Sequence, residues 1–308
     1  MSPAPFSSIA VVGAGAIGCY YGARLASQVP VHFLMRRDLA AVRSRGLDIR
    51  SVAGDFRLDP ASAFGDPAEI GPVDLVLIAV KTTQNEDLLR LLPPLLHEGT
   101  ALLTLQNGLG NEPFLAQHFP KRPILGGMCF VCIHRGDPGV VHHTAHGLVE
   151  MGELTDTGQL ASVAALFEAS GIPCKTHPDL GLARWRKLVW NVPFNGLSIA
   201  TGGLDTLCIL ADPNLVDRTR RLMEEIIRSA AAQGHQIDVS FIEANLQRTS
   251  EMGPYHPSSW IDFAAGRPVE VEAIWGEPLR QARSAGVETP ELARLYLEIC
   301  DAIRSRPQ

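Results

Sequence analysis

Short apolar runs alternate with helix-like stretches through the first half of the chain. Residues 8–12 and 31–35 are short apolar runs, and residues 73–80 form a nearly continuous one, typical of a strand buried on both faces of a parallel sheet. Residues 17–27 have a helical composition, and residues 100–105 form a further strand-like run. This alternation predicts an α/β domain built on a doubly wound parallel sheet.

The pattern changes after residue 124. From there to residue 151, strand-like segments are broken by glycine and proline, and they predict antiparallel strands at the edge of the sheet. Helices are predicted over residues 159–169 and over residues 86–92, where Pro93 and Pro94 stop the helix.

The second half of the chain consists of long stretches with helical periodicity, which end at clear helix-stop signals. Asp212 followed by Pro213 is a helix N-cap with proline at the first helical position, and Gly234 ends that helix. We therefore predict two domains, an α/β domain at residues 1–175 and an all-α domain at residues 176–308.

The composition narrows the class of protein. Of the 308 residues, 46% are hydrophobic and the formal net charge is -6, which excludes disorder and argues against a nucleic-acid partner. No apolar run approaches the roughly 20 residues that a membrane-spanning helix needs. The six cysteines are scattered without a disulfide framework, as is typical of reduced thiols. These features predict a cytoplasmic protein that binds neither membrane nor nucleic acid.

A glycine-rich loop directly follows the first strand and opens the first helix. In this setting Gly13 permits a tight turn, Gly15 lets the backbone approach a pyrophosphate, and Gly18 lets helix and strand pack closely. The helix N-terminus then presents N–H groups and a favourable dipole to the phosphates. The alternative is a flexible turn rich in glycine. We predict a Rossmann-type dinucleotide site whose contacts are Gly13, Ala14, Gly15, Ala16, Ile17 and Gly18.

The residues at the end of the second strand indicate whether the dinucleotide is NADH or NADPH. An acidic residue there accepts hydrogen bonds from the 2′-hydroxyl of the adenosine ribose, whereas arginine binds a 2′-phosphate. Arg36 and Arg37 predict NADPH, because each guanidinium can bind a phosphate through two hydrogen bonds. Asp38 opposes this prediction unless it caps the next helix, and a charged pair is also common on a solvated face.

Polar residues also follow two further strands at their carboxyl ends. Lys81 comes after the apolar run that ends at Val80, and Asn107 after the run that ends at Leu105. Because ligands bind at this edge of doubly wound sheets, we predict that Lys81 and Asn107 hold the nicotinamide ribose and the substrate end. A surface lysine and an Asn-Gly turn are the alternatives.

A helical stretch of the second half carries the strongest chemical signal. Lys187, Asn191 and Asn195 are spaced i, i+4, i+8 and therefore share one helix face. Asparagine is a poor helix former, so two of them aligned with a lysine are unusual for a solvent-facing stripe, which is the alternative. Pro193 is expected to bend this helix and to free the carbonyl of Val189.

Motifs along nearly the whole chain resemble those of the ketopantoate reductase (2-dehydropantoate 2-reductase) family. They are Gly13-x-Gly15-x-x-Gly18, Lys81 in Ala79-Val80-Lys81, Asn107-Gly108, Trp185-Arg186-Lys187-x-x-x-Asn191, and Ser258 through Gly266-Arg267-x-x-Glu270. The resemblance implies a Rossmann domain followed by a helical domain. It also implies NADPH-dependent reduction of the 2-oxo group of ketopantoate to give pantoate, a precursor of coenzyme A.

The resemblance also implies roles for single residues. Lys187 is similar to the catalytic acid, and Glu270 to the acidic residue that hydrogen-bonds the substrate hydroxyl; taken alone, Glu270 and Glu272 would be interpreted as surface carboxylates in the first turn of a helix. The implied substrate contacts are Asn107, Asn191, Asn195 and Ser258. The implied cofactor contacts, beside the glycine loop, are Arg36, Arg37, Lys81, Asn107 and Glu272.

Two departures from the family pattern concern the substrate. Asp205 stands where family members often have a substrate-binding asparagine, and Pro193-Phe194 replaces the usual aliphatic pair. Two alternative hypotheses therefore stay open. One is a related β-hydroxy acid or polyol-phosphate dehydrogenase, and the other is a protein that senses NADPH without turnover.

No metal site is expected. Cys129 and Cys132 have metal-ligand spacing but lie in an apolar strand-like run without a second pair, and strand alternation splits His142, His143 and His146 between two faces. The expected partners are a small 2-oxo acid and, in an oligomer, a second copy of the chain, because dimers are the commonest assemblies.

Overall fold

The structure is a computed structural model that describes residues 6–306. Contacts divide the chain into two compact units. The first contains the chain up to Gln106 together with Asn111–Leu180, and the second contains Asn107–Gly110 together with the chain from Gly181 onward. The predicted division after residue 175 lies near the end of the first unit, whereas the place of Asn107–Gly110 in the second unit was not predicted.

The described part of the first unit contains a ten-stranded sheet and several helices. Its strands are β1 (Ile9–Val12), β2 (Val31–Leu34), β3 (Leu47–Ser51), β4 (Phe56–Leu58), β5 (Ser62–Phe64), β6 (Val73–Ile78), β7 (Leu96–Thr104), β8 (Ile124–Arg135), β9 (Val140–Glu153) and β10 (Cys174–Thr176). Its helices are α1 (Ala16–Leu25), α2 (Leu39–Arg45), α3 (Asn85–Leu91), α4 (Asn111–His118) and α5 (Gln159–Ala169), with 3₁₀ helices at Pro67–Glu69, Thr82–Gln84 and Pro93–Leu95.

Parallel strands form the centre of this sheet. The strand order is β4-β3-β9-β8-β7-β6-β1-β2-β5, and β10 pairs with β9. β1 pairs in parallel with β2 on one side and with β6 on the other, so the strand order reverses at β1. In doubly wound sheets this switch point opens a crevice for ligands at the carboxyl ends of the strands. The predicted doubly wound sheet is confirmed.

The edge position predicted for the strands after residue 124 is wrong. β8 and β9 do form an antiparallel hairpin, but β9 also pairs in parallel with β3, and β3 pairs with β4. The outermost position on this side therefore belongs to β4. Residues 47–58, which supply β3 and β4, mix charged and apolar side chains and were not predicted as strands.

Alternate residues of the central strands face two separate cores. Ile9 and Val11 of β1 pack with residues of α1 and α5, whereas Ala10 and Val12 pack with residues of α3 and α4. All four side chains are fully buried. Because side chains point alternately to opposite faces of a strand, a strand covered on both faces needs apolar residues at every position.

The described part of the second unit consists of helices and loops, which confirms the predicted all-α character. α6 continues through Pro193 as one helix and buries Trp185 and Phe194. No helix in residues 6–306 is long and apolar enough to cross a membrane. The helices are α6 (Leu180–Ala200), α7 (Thr206–Ala211), α8 (Pro213–Ala232), α9 (Ser240–Glu251), α10 (Ser258–Ala264), α11 (Glu277–Ser284) and α12 (Pro290–Arg304), with a π-helix at Glu272–Gly276.

A predicted cap and a buried carboxylate fix two helix starts in this unit. Asp212 Oδ1 accepts the N–H of Asn214 at 2.8 Å, which confirms the predicted N-cap of α8. Glu225 of α8 is buried, and its carboxylate oxygens accept the N–H groups of Glu291 and Leu292 at 3.0 and 2.8 Å. Because the first N–H groups of a helix have no partner within it, Glu225 caps α12 from a neighbouring helix.

We predict that Glu225→Ala lowers the free energy of unfolding by about 1–3 kcal/mol, because two backbone donors lose their acceptor. Urea unfolding followed by circular dichroism measures the change. Glu224→Ala, at an exposed position of the same helix, is the control and should cost less than about 0.5 kcal/mol. Equal losses from the two variants would contradict the capping role.

Candidate functional site

Each glycine of the glycine-rich loop meets a different geometric demand. Gly13 has φ of 97°, and a Cβ atom there would lie 2.3 Å from the backbone nitrogen of Val80. A Cβ atom on Gly18 would lie 2.4 Å from the carbonyl oxygen of Gly13 and 2.9 Å from Cγ1 of Val11. A Cβ atom on Gly15, by contrast, would have nothing within 4 Å. Gly13 and Gly18 therefore permit close packing, whereas Gly15 borders open space.

Helix α1 directs its amino end toward that open space. It begins at Ala16, and Gly15 at its N-cap has no side chain to accept a hydrogen bond. The N–H groups of Ala16, Ile17 and Gly18 have no acceptor one turn earlier in the helix. Together with the positive end of the helix dipole they form a cradle that fits the pyrophosphate of a dinucleotide.

Of the polar residues after β2, Asp38 does not act as the sequence suggested. Arg36 and Arg37 are exposed. Asp38 occupies the N-cap position of α2, but its side chain makes no capping hydrogen bond, so the proposed cap is wrong. Its carboxylate instead forms an ion pair with Arg135 of β8 and accepts the N–H of Gly139 at 3.4 Å.

Lys81 lies at the predicted edge of the sheet. It follows β6 and precedes the 3₁₀ helix Thr82–Gln84, and its half-buried side chain comes directly after Val80, whose backbone packs against Gly13. The structure therefore brings the glycine loop and Lys81 together in the first unit.

A buried network of amides at the end of β7 was missed by sequence reasoning. Gln106 accepts a hydrogen bond from the Thr104 hydroxyl at 2.8 Å and donates one to Asn85 at 2.7 Å. Asn85 in turn donates to Asn111 at 3.1 Å. This network fixes the chain on both sides of the segment that contains Asn107, and its only sequence signal was a cluster of amides after a buried strand.

In the second unit, Lys187 and Asn107 are in direct contact. Lys187 Nζ donates a hydrogen bond to Asn107 Oδ1 at 2.9 Å, and both residues are half-buried. The backbone beside Asn107 is held in place, because Leu109 donates its N–H to the carbonyl of Ala273 at 2.9 Å. Gly108 has φ of 82°, and a Cβ atom there would lie 2.3 Å from that same carbonyl oxygen.

The two glutamates near Ala273 lie in different surroundings. Glu270 is buried, so its interpretation as a surface carboxylate is wrong. Glu272 opens the π-helix and is exposed, and it accepts hydrogen bonds from Arg280 at 2.5 Å and from the Tyr296 hydroxyl at 2.7 Å. The hydrogen bond from Arg280 lowers the pKa of Glu272, and the bond to Glu272 raises the pKa of Tyr296 to about 12. π-helical turns often occur at functional sites.

The polar face of α6 is buried, which excludes a solvent-facing stripe. Asn191 is 8% exposed and Asn195 is 2% exposed. Asn195 Oδ1 accepts the backbone N–H of Ser259 at 3.0 Å and so fixes the first turn of α10, where Ser258 is exposed. Asp205 is the N-cap of α7, and its side chain accepts the N–H of Cys208 at 2.8 Å.

Within residues 6–306, no three histidine, cysteine, aspartate or glutamate side chains gather as a metal ion would require. His143 is buried, and its Nδ1 lies 2.8 Å from Ser51 Oγ. No disulfide joins the cysteines, all of which lie in the described range.

Family models match both halves of the chain. A model described as "Ketopantoate reductase PanE/ApbA" matches residues 9–156, and its C-terminal counterpart matches residues 179–300. A 2-dehydropantoate 2-reductase from Nostoc sp. is 39% identical over 298 residues, which cover 94% of this chain and 93% of that protein. The chain belongs to the ketopantoate reductase family.

Solved structures agree with this membership. A 2-dehydropantoate 2-reductase from Geobacter metallireducens GS-15 matches with a TM-score of 0.92 at 44% identity, covering 96% of this chain and 99% of that one. A D-mandelate dehydrogenase with NADH and anilino(oxo)acetate matches with a TM-score of 0.88 at 23% identity, covering 97% and 99%, and shows the fold alone. The chain is a pyridine-nucleotide-dependent oxidoreductase of the ketopantoate reductase family, which argues against a sensor without turnover.

We predict that alanine at Gly13 mainly lowers stability, whereas alanine at Gly15 mainly weakens dinucleotide binding. Gly13→Ala should lower the free energy of unfolding by about 2 kcal/mol or more, because it places a side chain against the backbone of Val80 at a positive φ. Gly15→Ala should change it by less than about 1 kcal/mol and yet weaken dinucleotide binding about tenfold or more.

Thermal unfolding and calorimetric titration with NADPH measure these two quantities for each variant. The wild-type chain is the reference for both. A Gly15→Ala variant that binds the dinucleotide as tightly as the wild type would contradict the assignment of the open space to the pyrophosphate.

Proposed function

We propose that this chain reduces ketopantoate to pantoate with NADPH in the cytoplasm, a step toward coenzyme A. The observation that carries the proposal is the hydrogen bond of the Lys187 ammonium to Asn107 in the helical unit. The names of the relatives from Nostoc sp. and Halobacterium salinarum, both 2-dehydropantoate 2-reductases, support the choice of substrate.

Lys187 is proposed as the acid of the reaction. When bound, NADPH supplies the hydride that the 2-oxo carbon accepts. As the carbon–oxygen double bond becomes single, the oxygen gains negative charge, which the Lys187 ammonium stabilises before it transfers a proton to that oxygen. Lys187 then recovers a proton from water. Asn107 accepts a hydrogen bond from Nζ and so limits the positions that the flexible lysine side chain adopts.

Amide, hydroxyl and carboxylate side chains are suited to orient the substrate through hydrogen bonds. We infer that Asn191 and Ser258 bind its polar groups, and that Glu270 accepts a hydrogen bond from its hydroxyl. Asn195 is proposed to act mainly by holding the first turn of α10, since its Oδ1 is bonded to the backbone of Ser259. A hydroxylated 2-oxo acid matches this set of amides, hydroxyl and carboxylate.

The preference for NADPH is inferred from charge. Arg36 and Arg37 are exposed beyond β2, where a 2′-phosphate is bound in this type of sheet. Asp38, whose carboxylate would oppose a phosphate, is held in an ion pair. Lys81 and Glu272 are proposed as further contacts of the cofactor.

We predict that Lys187→Ala lowers kcat for NADPH oxidation with ketopantoate about a hundredfold or more, because the developing oxyanion loses both its charge partner and its proton donor. Loss of NADPH absorbance measures the rate. Lys175→Ala is the matched control, since it removes another lysine whose side chain is 62% exposed, and it should keep the wild-type rate.

Two outcomes would contradict the proposal. A Lys187→Ala variant with wild-type kcat would exclude the lysine as the acid. A wild-type protein that turns over β-hydroxy acids or polyol phosphates, and not ketopantoate, would instead make the chain a dehydrogenase of a different substrate.

A further inference from the structure

The ion pair between Asp38 and Arg135 stands next to residues proposed to bind the cofactor and takes no part in the transfer of the hydride or of the proton. The Asp38 side chain is 13% exposed and that of Arg135 is 32% exposed. The same carboxylate oxygen that meets Arg135 also accepts the N–H of Gly139 at 3.4 Å. Asp38 thus points to the β8–β9 turn, away from the helix that it precedes.

The charges of the ion pair act on Cys19, a buried residue of α1. Cys19, in the first turns of α1, donates its thiol to the carbonyl of Ala14 at 3.3 Å. Burial raises the pKa of Cys19 to about 12; to a smaller extent the positive charge of Arg135 lowers this pKa and the negative charge of Asp38 raises it.

Arg135 comes from a well-fixed part of the sheet. It is the last residue of β8 and pairs with Val141 of β9. The turn between the two strands is held in addition by β3, because Asp48 donates its N–H to the carbonyl of Gly139 at 2.9 Å. The arginine is thus presented to Asp38 by three paired strands.

A carboxylate at the end of β2 has two effects on a dinucleotide. It accepts hydrogen bonds from a 2′-hydroxyl, which favours NADH, and it repels a 2′-phosphate, which carries about -1.5 to -2 charges near neutral pH. Partial burial keeps such interactions from being fully screened by salt. An arginine bound to that carboxylate cancels both effects.

We propose that Arg135 sets the cofactor preference of this enzyme by acting through Asp38. Arg135 neutralises the carboxylate and orients it toward the β8–β9 turn, so that Arg36 and Arg37 act on the 2′-phosphate without a competing negative charge. Arg135 is a positioning residue in this role. The inference rests on the proposed use of NADPH, and it adds a determinant from β8 to the two arginines that follow β2.

The test is the ratio of the dissociation constants for NADH and NADPH, measured by titration calorimetry without substrate. In Arg135→Leu the preference for NADPH should fall about tenfold. In the double variant Arg135→Leu with Asp38→Asn the preference should return to within about threefold of wild type, because the carboxylate that has lost its arginine partner is gone. Arg135→Lys should keep the preference for NADPH.

Arg50→Leu, at a site on β3 that is 52% exposed, is the control for loss of one positive charge.

The outcomes separate this inference from the proposed function. A wild-type protein that binds NADH more tightly would overturn the proposed use of NADPH, and the inference with it. A wild-type preference for NADPH that Arg135→Leu leaves unchanged would overturn the inference alone. Two further results would also overturn the inference: an Asp38→Asn variant that by itself loses the preference for NADPH, or a double variant that does not regain this preference. In either case the carboxylate of Asp38 would not be the group that Arg135 neutralises.

Discussion

The hydrogen bond from Lys187 Nζ to Asn107 Oδ1 is the contact on which the proposed chemistry depends. It joins residues 80 positions apart in the chain. Lys187 is carried by the long helix α6, whereas Asn107 lies in a short segment whose backbone is fixed by the carbonyl of Ala273. A lysine has a long flexible side chain, so a fixed amide partner lowers the entropic cost of holding its ammonium at one point. Ala273, a buried residue of the π-helix, thereby takes part in positioning the acid.

Most of the fold could be predicted from local pattern. The β1 run and residues 73–80 are apolar at nearly every position, and that pattern already requires cover on both faces of a strand. The strands β3 and β4 were missed because they depend on pairing with distant or adjacent strands, β3 with β9 and β4 with β3, and no local pattern encodes these contacts. The same pairing moved the β8–β9 hairpin from the expected edge to the interior of the sheet.

The sequence names candidate site residues one by one, but not the contacts between them. The spacing of Lys187, Asn191 and Asn195 indicated one helix face, and burial of both asparagines agrees with a functional or structural role for that face. Nothing local shows that Glu270 is buried or that Asp38 meets Arg135, which is 97 positions away. Such contacts depend on tertiary packing, and the resemblance to the family supplied the residues without their partners.

The most direct test of the account is a double-mutant cycle on Lys187 and Asn107, with kcat for ketopantoate reduction as the readout. If Asn107 acts by holding the ammonium, Asn107→Ala should lower kcat about tenfold in the wild type and less than about twofold in the Lys187→Ala background. An equal loss in both backgrounds would show that Asn107 acts independently of the lysine, and would contradict the account.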